Sequence, residues 1–106
     1  MGEIIVAITG ASGAIYGLRL IEVLSDLGIH LRVIVTESAK LTLKHECDFE
    51  IEQFKSMENI ILEDNEDIAA KSASGSAKID AMVIVPCSGT TLGKLAAGIG
   101  DNLVTR

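Results

Sequence analysis

Aromatic and basic residues are both scarce in this 106-residue chain. It has no tryptophan, one tyrosine and two phenylalanines, yet 48% of its residues are hydrophobic, so aliphatic side chains must supply the core. This composition is typical of α/β proteins, whose buried parallel strands are rich in Val and Ile. Nine basic residues against fifteen acidic ones give a formal net charge of −6. That charge disfavours a nucleic-acid partner, because binding a phosphate backbone requires a basic face.

Long apolar runs and paired cysteines are also missing. No stretch reaches the roughly 18 consecutive apolar residues of a membrane span, and no basic segment precedes the first apolar run, so we expect a cytoplasmic protein. Cys47 and Cys87 lie in different contexts without CxxC spacing, which predicts two reduced thiols. His30 lies at a predicted strand start and His45 on a polar predicted helix, where we expect both to be solvated, so we expect no metal site.

Hydrophobic periodicity predicts alternating strands and helices, and therefore a parallel sheet. Apolar positions at Ile15, Leu18, Ile21, Leu24 and Leu27 predict an amphipathic helix that Gly28 ends. The predicted strands are 3–9, 30–38, 59–64 and 81–88, and the predicted helices are 15–27, 37–47, 64–68 and 90–99. Residues 72–80 are predicted to form a loop, and Asp101 or Asn102 is predicted to cap a further helix.

Small and hydroxyl residues follow three of the predicted strands, at 9–13, 35–38 and 86–91. An open parallel sheet binds ligands outside the carboxyl ends of its strands, so these three segments are expected to share one edge. In the first, glycines allow backbone N–H groups to approach an anion, and we expect Ser12 to cap the following helix. Each segment alone is an ordinary strand-to-helix turn. Together, the three favour a ligand that carries phosphate.

The glycine spacing argues against a nicotinamide dinucleotide. The G-x-G-x-x-G pattern would require glycine where Ser12 and Ile15 stand, and the TGxxxGxG variant would require it at Ala14 and Tyr16. We expect the Tyr16 ring to obstruct the close helix–strand packing that those patterns provide. Glu37 could still bind a ribose, so an NAD(P)-binding, short-chain-dehydrogenase-like domain remains an alternative.

Four motifs, in order, resemble the UbiX-type flavin prenyltransferases, once described as aromatic acid or phenylacrylic acid decarboxylases. These motifs are ITGASGAIYGLRLIEVL, VTESAKLTL, DIAAKSASGS and AMVIVPCSGTTLGKLAAGIGDNLVTR, and they extend over nearly the whole chain. The resemblance implies a Rossmann-like, flavodoxin-like open parallel sheet with helices on both faces. It also implies that residues 1–106 form a single flavin-binding α/β domain, incomplete at its C-terminus and the N-terminal portion of a longer domain.

The resemblance further implies transfer of a dimethylallyl group from dimethylallyl phosphate to reduced FMN, which supplies prenylated FMN to a UbiD-type decarboxylase. A homo-oligomer with the site near a subunit boundary is implied as well. The residues that match family flavin contacts are Gly10, Ala11, Ser12, Gly13, Thr36, Ser88, Gly89, Thr90 and Thr91. Glu46 matches an active-site acid, Ser12 belongs to the catalytic set, and Arg106 matches an arginine that holds the prenyl phosphate.

Two further functions stay open beside this one. Flavin-dependent cysteine decarboxylases share the fold but carry Pro-Ala-Ser-Ala-Asn-Thr where this chain has Pro-Cys-Ser-Gly-Thr-Thr. The other is a non-catalytic flavin-binding subunit.

Three residues also have interpretations that need no ligand. Glu46 would lie in an exposed charged patch, Cys87 would be a small buried residue at a strand end, and Tyr16 would pack at the start of the first helix.

Overall fold

Four parallel strands form the sheet in the part of the chain that the structure describes. The computed structural model describes residues 3–57, 59–64, 79–98 and 100. In chain order the elements are β1 (Glu3–Ile8), α1 (Ala14–Asp26), β2 (Leu31–Val35), α2 (Glu37–Cys47), a 3₁₀ helix (Ile51–Ser56), β3 (Ile60–Asp64), β4 (Ile79–Ile84) and α3 (Gly89–Ala97). The strand order is β3-β2-β1-β4, and every pairing is parallel. The predicted α/β architecture is confirmed, and β1 and β2 are its central strands.

Helices α1 and α2 pack together over one face of the sheet. Helix α1 buries Ala14, Gly17, Leu18 and Ile21, a stripe at helical spacing. The predicted helix is confirmed, but two of the five apolar positions that predicted it lie outside the buried stripe: Ile15 is 44% exposed and Leu27 70% exposed. Ala14 and Gly17 join Leu18 and Ile21 in the stripe, because small residues let a helix approach a sheet closely. The sheet side of this core consists of Ile4, Val6, Ile8, Leu31, Val33, Val35, Ile60 and Leu62.

The opposite face of the sheet holds a buried arginine among aliphatic residues. Ile5, Ala7 and Ile34 are almost fully buried there. The Arg32 side chain, 8% exposed, places Nε 2.7 Å from Glu3 Oε1 and Nη1 3.6 Å from Glu63 Oε2. These three side chains come from β2, β1 and β3, so the ion pairs join three strands. Burying a charge costs free energy unless it is paired, and the two carboxylates supply that pairing.

The segment from Asp48 to Asn59, which periodicity left undefined, connects α2 to β3 through the 3₁₀ helix. Phe54 anchors this helix in the core, with its ring 4.8 Å from that of Phe49. Asn59 Nδ2 donates to the carbonyls of Ser25, at 3.0 Å, and Ile29, at 2.8 Å, while Asn59 Oδ1 accepts from Ser25 Oγ. Asn59 therefore satisfies carbonyls at the end of α1, on the amino side of the sheet.

Several predicted boundaries need correction. Ile79 and Asp80 belong to β4 rather than to the predicted loop, and the strand ends at Ile84 rather than at 88. Gly28, with φ of 79°, follows the end of α1 as predicted. The helix predicted at 64–68, loop residues 72–78 and the Asp101 or Asn102 cap lie outside the described residues. Within the described ranges, no helix is long and apolar enough to cross a membrane.

Candidate functional site

The three predicted ligand-binding segments meet at the carboxyl edge of the sheet. Because β1 lies between β2 and β4, the glycine loop at 9–13 is the central one of the three. Backbone hydrogen bonds continue past the ends of the neighbouring strands, from Thr36 N to Ile8 O at 3.1 Å and from Val85 N to Ala7 O at 2.9 Å. The expectation that these segments share one edge is therefore correct.

Thr9 joins the glycine loop to the segment that follows β4. Its side chain is fully buried, with Oγ1 donating to the Pro86 carbonyl at 2.5 Å and accepting from Ser88 N at 2.6 Å. Its own N–H also donates to the Pro86 carbonyl, at 3.2 Å. One threonine thus fixes the residue that follows β1 against the turn that begins α3.

Gly10 makes a close contact with the start of α2. A Cβ atom at this position would lie 2.6 Å from the Ser38 Cβ and closer still to its hydroxyl oxygen. Such distances are shorter than real Cβ contacts, so only glycine lets the loop approach α2 this closely. The first glycine of the motif is therefore explained by packing between two of the three segments.

The start of α1 differs from the prediction. Gly13, with φ of 95°, occupies the N-cap position, and no side chain caps the helix. The expected cap by Ser12 is therefore wrong: a left-handed residue precedes the helix and the Ser12 side chain is exposed. The Ser12 hydroxyl is therefore not used by the helix, and it lies beside the start of α1 at the carboxyl edge of the sheet.

Gly17, not Tyr16, is the position of tight packing between α1 and the sheet. A Cβ atom on Gly17 would lie 2.3 Å from the Val85 carbonyl oxygen and 3.1 Å from the Ile8 side chain. Tyr16 is 71% exposed, so the expectation that its ring obstructs packing was wrong. The third glycine of the motif serves close helix–strand packing, one residue after the last glycine of the TGxxxGxG pattern and two after that of G-x-G-x-x-G.

Hydroxyl groups cap the other two helices at this edge. Thr36 Oγ1 accepts from Ala39 N at 3.2 Å at the start of α2, and Ser88 Oγ accepts from Thr91 N at 3.1 Å at the start of α3. Ser88 Oγ also lies 3.0 Å from Thr91 Oγ1, and Thr91 is buried. A capping hydroxyl accepts from the helix and keeps a proton that it can donate to another acceptor.

Glu46 reaches the glycine loop from the last turn of α2. Its Oε1 accepts a long hydrogen bond, 3.4 Å, from Gly13 N. On residue type alone it was interpreted as part of a solvated charged patch. The packing of α1 against α2 instead brings this exposed carboxylate beside the start of α1, where it is available to a ligand.

The neighbouring Cys47 thiol is half-buried, and burial, together with the charge of Glu46, raises its pKa. Cys87 is exposed, which corrects its interpretation as a buried strand end, and both cysteines are free. Glu37, the alternative ribose-binding acid, lies 2.7 Å from Lys40 Nζ on its own helix.

Gly89 and Thr90 are the first two residues of α3, and the structure describes only the backbone of Thr90. Arg106 lies outside the described residues. A cavity of about 230 Å³ near the end of β2 contains none of the predicted ligand-binding residues. Its lining residues are Val35, Lys40, Ile51, Lys55, Leu62 and Glu63.

A parallel sheet with a glycine loop between two hydroxyl-capped helix starts defines an α/β protein of the class that binds phosphate-bearing cofactors. Residues 2–106 match the family model described as Flavoprotein. The chain belongs to this flavoprotein family, and its resemblance to the UbiX-type flavin prenyltransferases is confirmed by the relatives that follow.

One relative is the flavin prenyltransferase UbiX of Archaeoglobus fulgidus, 44% identical over 102 residues, a region covering 96% of this chain and 56% of that protein. The crystal structure of AnUbiX (PadA1) in complex with FMN and dimethylallyl pyrophosphate has a TM-score of 0.91 at 32% identity, over 98% of this chain and 55% of that one. A dodecameric FMN-dependent UbiX-like decarboxylase from Escherichia coli O157:H7 has a TM-score of 0.90 at 31% identity, covering 97% and 56%. This chain thus spans about half the length of the relatives it matches.

Three residues that build the site were not among the predicted site residues: Thr9 and Ser38, which lie in the predicted ligand-binding segments, and Gly17. Each acts by packing or hydrogen bonding within the protein, so no ligand-binding pattern marks it. The one available signal was at Thr9, a hydroxyl residue placed directly after five aliphatic residues of β1. A hydroxyl at a buried strand end requires a hydrogen-bond partner, and the nearest candidates are the turns of adjacent strands.

Proposed function

We propose that the protein is a flavin prenyltransferase that binds FMN at the carboxyl edge of the sheet. It would transfer a dimethylallyl group from dimethylallyl phosphate to the reduced flavin. The observation that carries the proposal is the joining of the glycine loop to both neighbouring segments, through Thr9 and Ser88 on one side and through Gly10 and Ser38 on the other. The relative solved with FMN and dimethylallyl pyrophosphate supports the same assignment.

The residues at this edge fit a flavin mononucleotide. The uncapped start of α1 offers backbone N–H groups and the positive end of a helix to a phosphate. Hydroxyls at Ser12, Thr36 and Thr91 would donate to phosphate and ribityl oxygens, while Ser88 Oγ donates to Thr91 Oγ1 and holds it in place. The proposed flavin contacts are Gly10, Ala11, Ser12, Gly13, Thr36, Ser88, Gly89, Thr90 and Thr91. Reduced FMN, when bound, supplies the nucleophile, and the protein supplies position and field.

Two charged residues would serve the transfer itself. Glu46, whose carboxylate lies at the glycine loop, would act as the acid that holds a proton near the reacting groups. Arg106 would donate its planar set of N–H groups to the phosphate of the prenyl donor as negative charge grows on this leaving group. Because the chain is acidic overall, such a cation must act locally.

The proposal is tested by product mass. The full protein is incubated without oxygen with reduced FMN and either dimethylallyl phosphate or the pyrophosphate, and the mass of the released flavin is measured. A flavin heavier by one dimethylallyl unit supports the proposal, and the preferred donor is the one consumed faster. If the protein retains FMN but the flavin stays unmodified with both donors, the protein is a non-catalytic flavin-binding subunit.

Glu46→Gln separates binding from catalysis in the same assay. We expect normal FMN binding and transfer about 10²-fold slower, the lower end of the contribution of a positioned acid. Glu52→Gln is the matched control, because Glu52 is an exposed glutamate of the 3₁₀ helix outside the site. Equal rates for both variants would remove Glu46 from the mechanism.

Three broader statements belong to the proposal. Residues 1–106 would form one flavin-binding α/β unit, and the prenylated flavin would pass to a UbiD-type decarboxylase. A homo-oligomer with the site near a subunit boundary is supported by the dodecameric relative and by exposed apolar side chains on α1 and α3. A cytoplasmic location is supported by the two free thiols.

A further inference from the structure

Thr9 is the residue whose role the flavin chemistry does not account for. It lies directly before the glycine loop, is fully buried and forms three hydrogen bonds to the segment after β4. Two of them use its hydroxyl, as donor to the Pro86 carbonyl and as acceptor from Ser88 N. A hydroxyl used on both sides is satisfied within the protein and has no need of a ligand.

These bonds lead directly to two sets of proposed ligand contacts. On one side, the peptide after Thr9 begins the glycine loop at Gly10. On the other, Ser88 is the N-cap of α3, and its own side chain holds the amide and hydroxyl of Thr91. Thr9 therefore sets the distance between the glycine loop and the first turn of α3.

We propose that Thr9 is a positioning residue for the flavin site: it holds the two loops at the separation that FMN requires, without touching the cofactor. This inference rests on the proposed function only for the identity of the ligand. Threonine suits the role because it combines the hydroxyl with a β-branched side chain that fits a buried strand end. Valine keeps that shape and removes both hydroxyl bonds. The partly buried Ser88 N–H would then lose its acceptor, and a donor left without an acceptor away from water costs free energy.

The test compares Thr9→Val with Thr9→Ser, which retains the hydroxyl. Thr9→Ala, which removes the hydroxyl without adding a methyl group, is measured alongside. Asn59→Ala is the matched control, because Asn59 also forms several side-chain hydrogen bonds but lies on the amino side of the sheet. It should lower stability and leave FMN binding unchanged. Each variant is made in the full chain, and FMN affinity is measured by fluorescence quenching.

We expect Thr9→Val and Thr9→Ala to raise the FMN Kd about tenfold. This is the size of effect expected when one N–H donor, that of Ser88, loses its acceptor beside the flavin contacts. Thr9→Ser should bind FMN within about threefold of wild type, and Asn59→Ala within about twofold, since distant sites act independently. Wild-type affinity in Thr9→Val, or an equal loss of affinity in Asn59→Ala, would overturn the inference.

Amide hydrogen exchange of Ser88 gives a readout that needs no flavin. In the absence of FMN, this amide should exchange slowly in wild type and Thr9→Ser and faster in Thr9→Val. If wild type binds no FMN, the proposed function fails, while exchange of Ser88 still decides whether Thr9 holds the two loops together. Unchanged exchange in Thr9→Val would refute the positioning role by itself.

Discussion

Replacing Gly17 with alanine tests the packing that places α1 against the site. The new Cβ would lie 2.3 Å from the Val85 carbonyl oxygen, whereas ordinary contacts begin near 3.4 Å, so helix and strand end must separate by about 1 Å. Alanine in a helix gains about 1 kcal/mol over glycine. Overpacking typically costs about 1–3 kcal/mol. A rigid backbone carbonyl favours the upper part of that range, so we expect a net loss of about 1–2 kcal/mol.

Gly93→Ala is the matched control, because Gly93 is also within a helix but a Cβ added there would meet no atom of the described residues within 4 Å. At Gly93 only the helix propensity changes, so we expect the free energy of unfolding to rise by about 0.5–1 kcal/mol. Urea denaturation of both variants in the full protein measures the two changes. The prediction is that they have opposite signs. If the Gly17→Ala variant is as stable as the Gly93→Ala variant, the close packing of α1 on the end of β4 is refuted.

Three further predictions concern charged and thiol groups. Arg32→Ala should destabilise the fold by about 3–5 kcal/mol in urea, because its two carboxylate partners lose a buried cation; a change under 1 kcal/mol, the scale of an exposed ion pair, would contradict this. Because burial and then Glu46 raise the pKa of the Cys47 thiol, its thiolate is depleted at neutral pH. In the Cys87→Ser variant, the Cys47 thiol should therefore react with disulfide reagents more slowly than a peptide with a free cysteine does. Its reaction rate should still rise above pH 8.5. Arg106→Ala should slow prenyl transfer about 10²-fold with near-normal FMN binding, and Arg106→Lys should restore it only partly; equal, small losses in both quantities would contradict the phosphate role.

The strands and the edge that carries the site could be predicted because they depend on local patterns. β1, β2 and β4 are aliphatic runs followed by small or hydroxyl residues, and a parallel sheet brings such ends together. The start of α2 was predicted closely because Thr36 favours the N-cap position, where its hydroxyl accepts from Ala39 N.

The errors came from interactions between segments distant in the chain. Gly17 was compared with dinucleotide patterns, whereas its reason is the carbonyl of Val85, many residues away. Ser12 was expected to cap α1 because serine favours that position, but a left-handed Gly13 begins the helix instead. The 3₁₀ helix was missed because one buried aromatic residue, Phe54, holds it, and a single residue has no periodicity.

The most direct test of the central claim is competitive binding of FMN and NADPH to the purified full protein. The glycine spacing and the hydroxyl-capped helix starts predict that FMN binds, with absorbance bands near 370 and about 450 nm that belong to the flavin itself. NADPH at the same concentration should not displace it. Tight NADPH binding without flavin uptake would contradict the account, because it would make the three-segment edge a dinucleotide site.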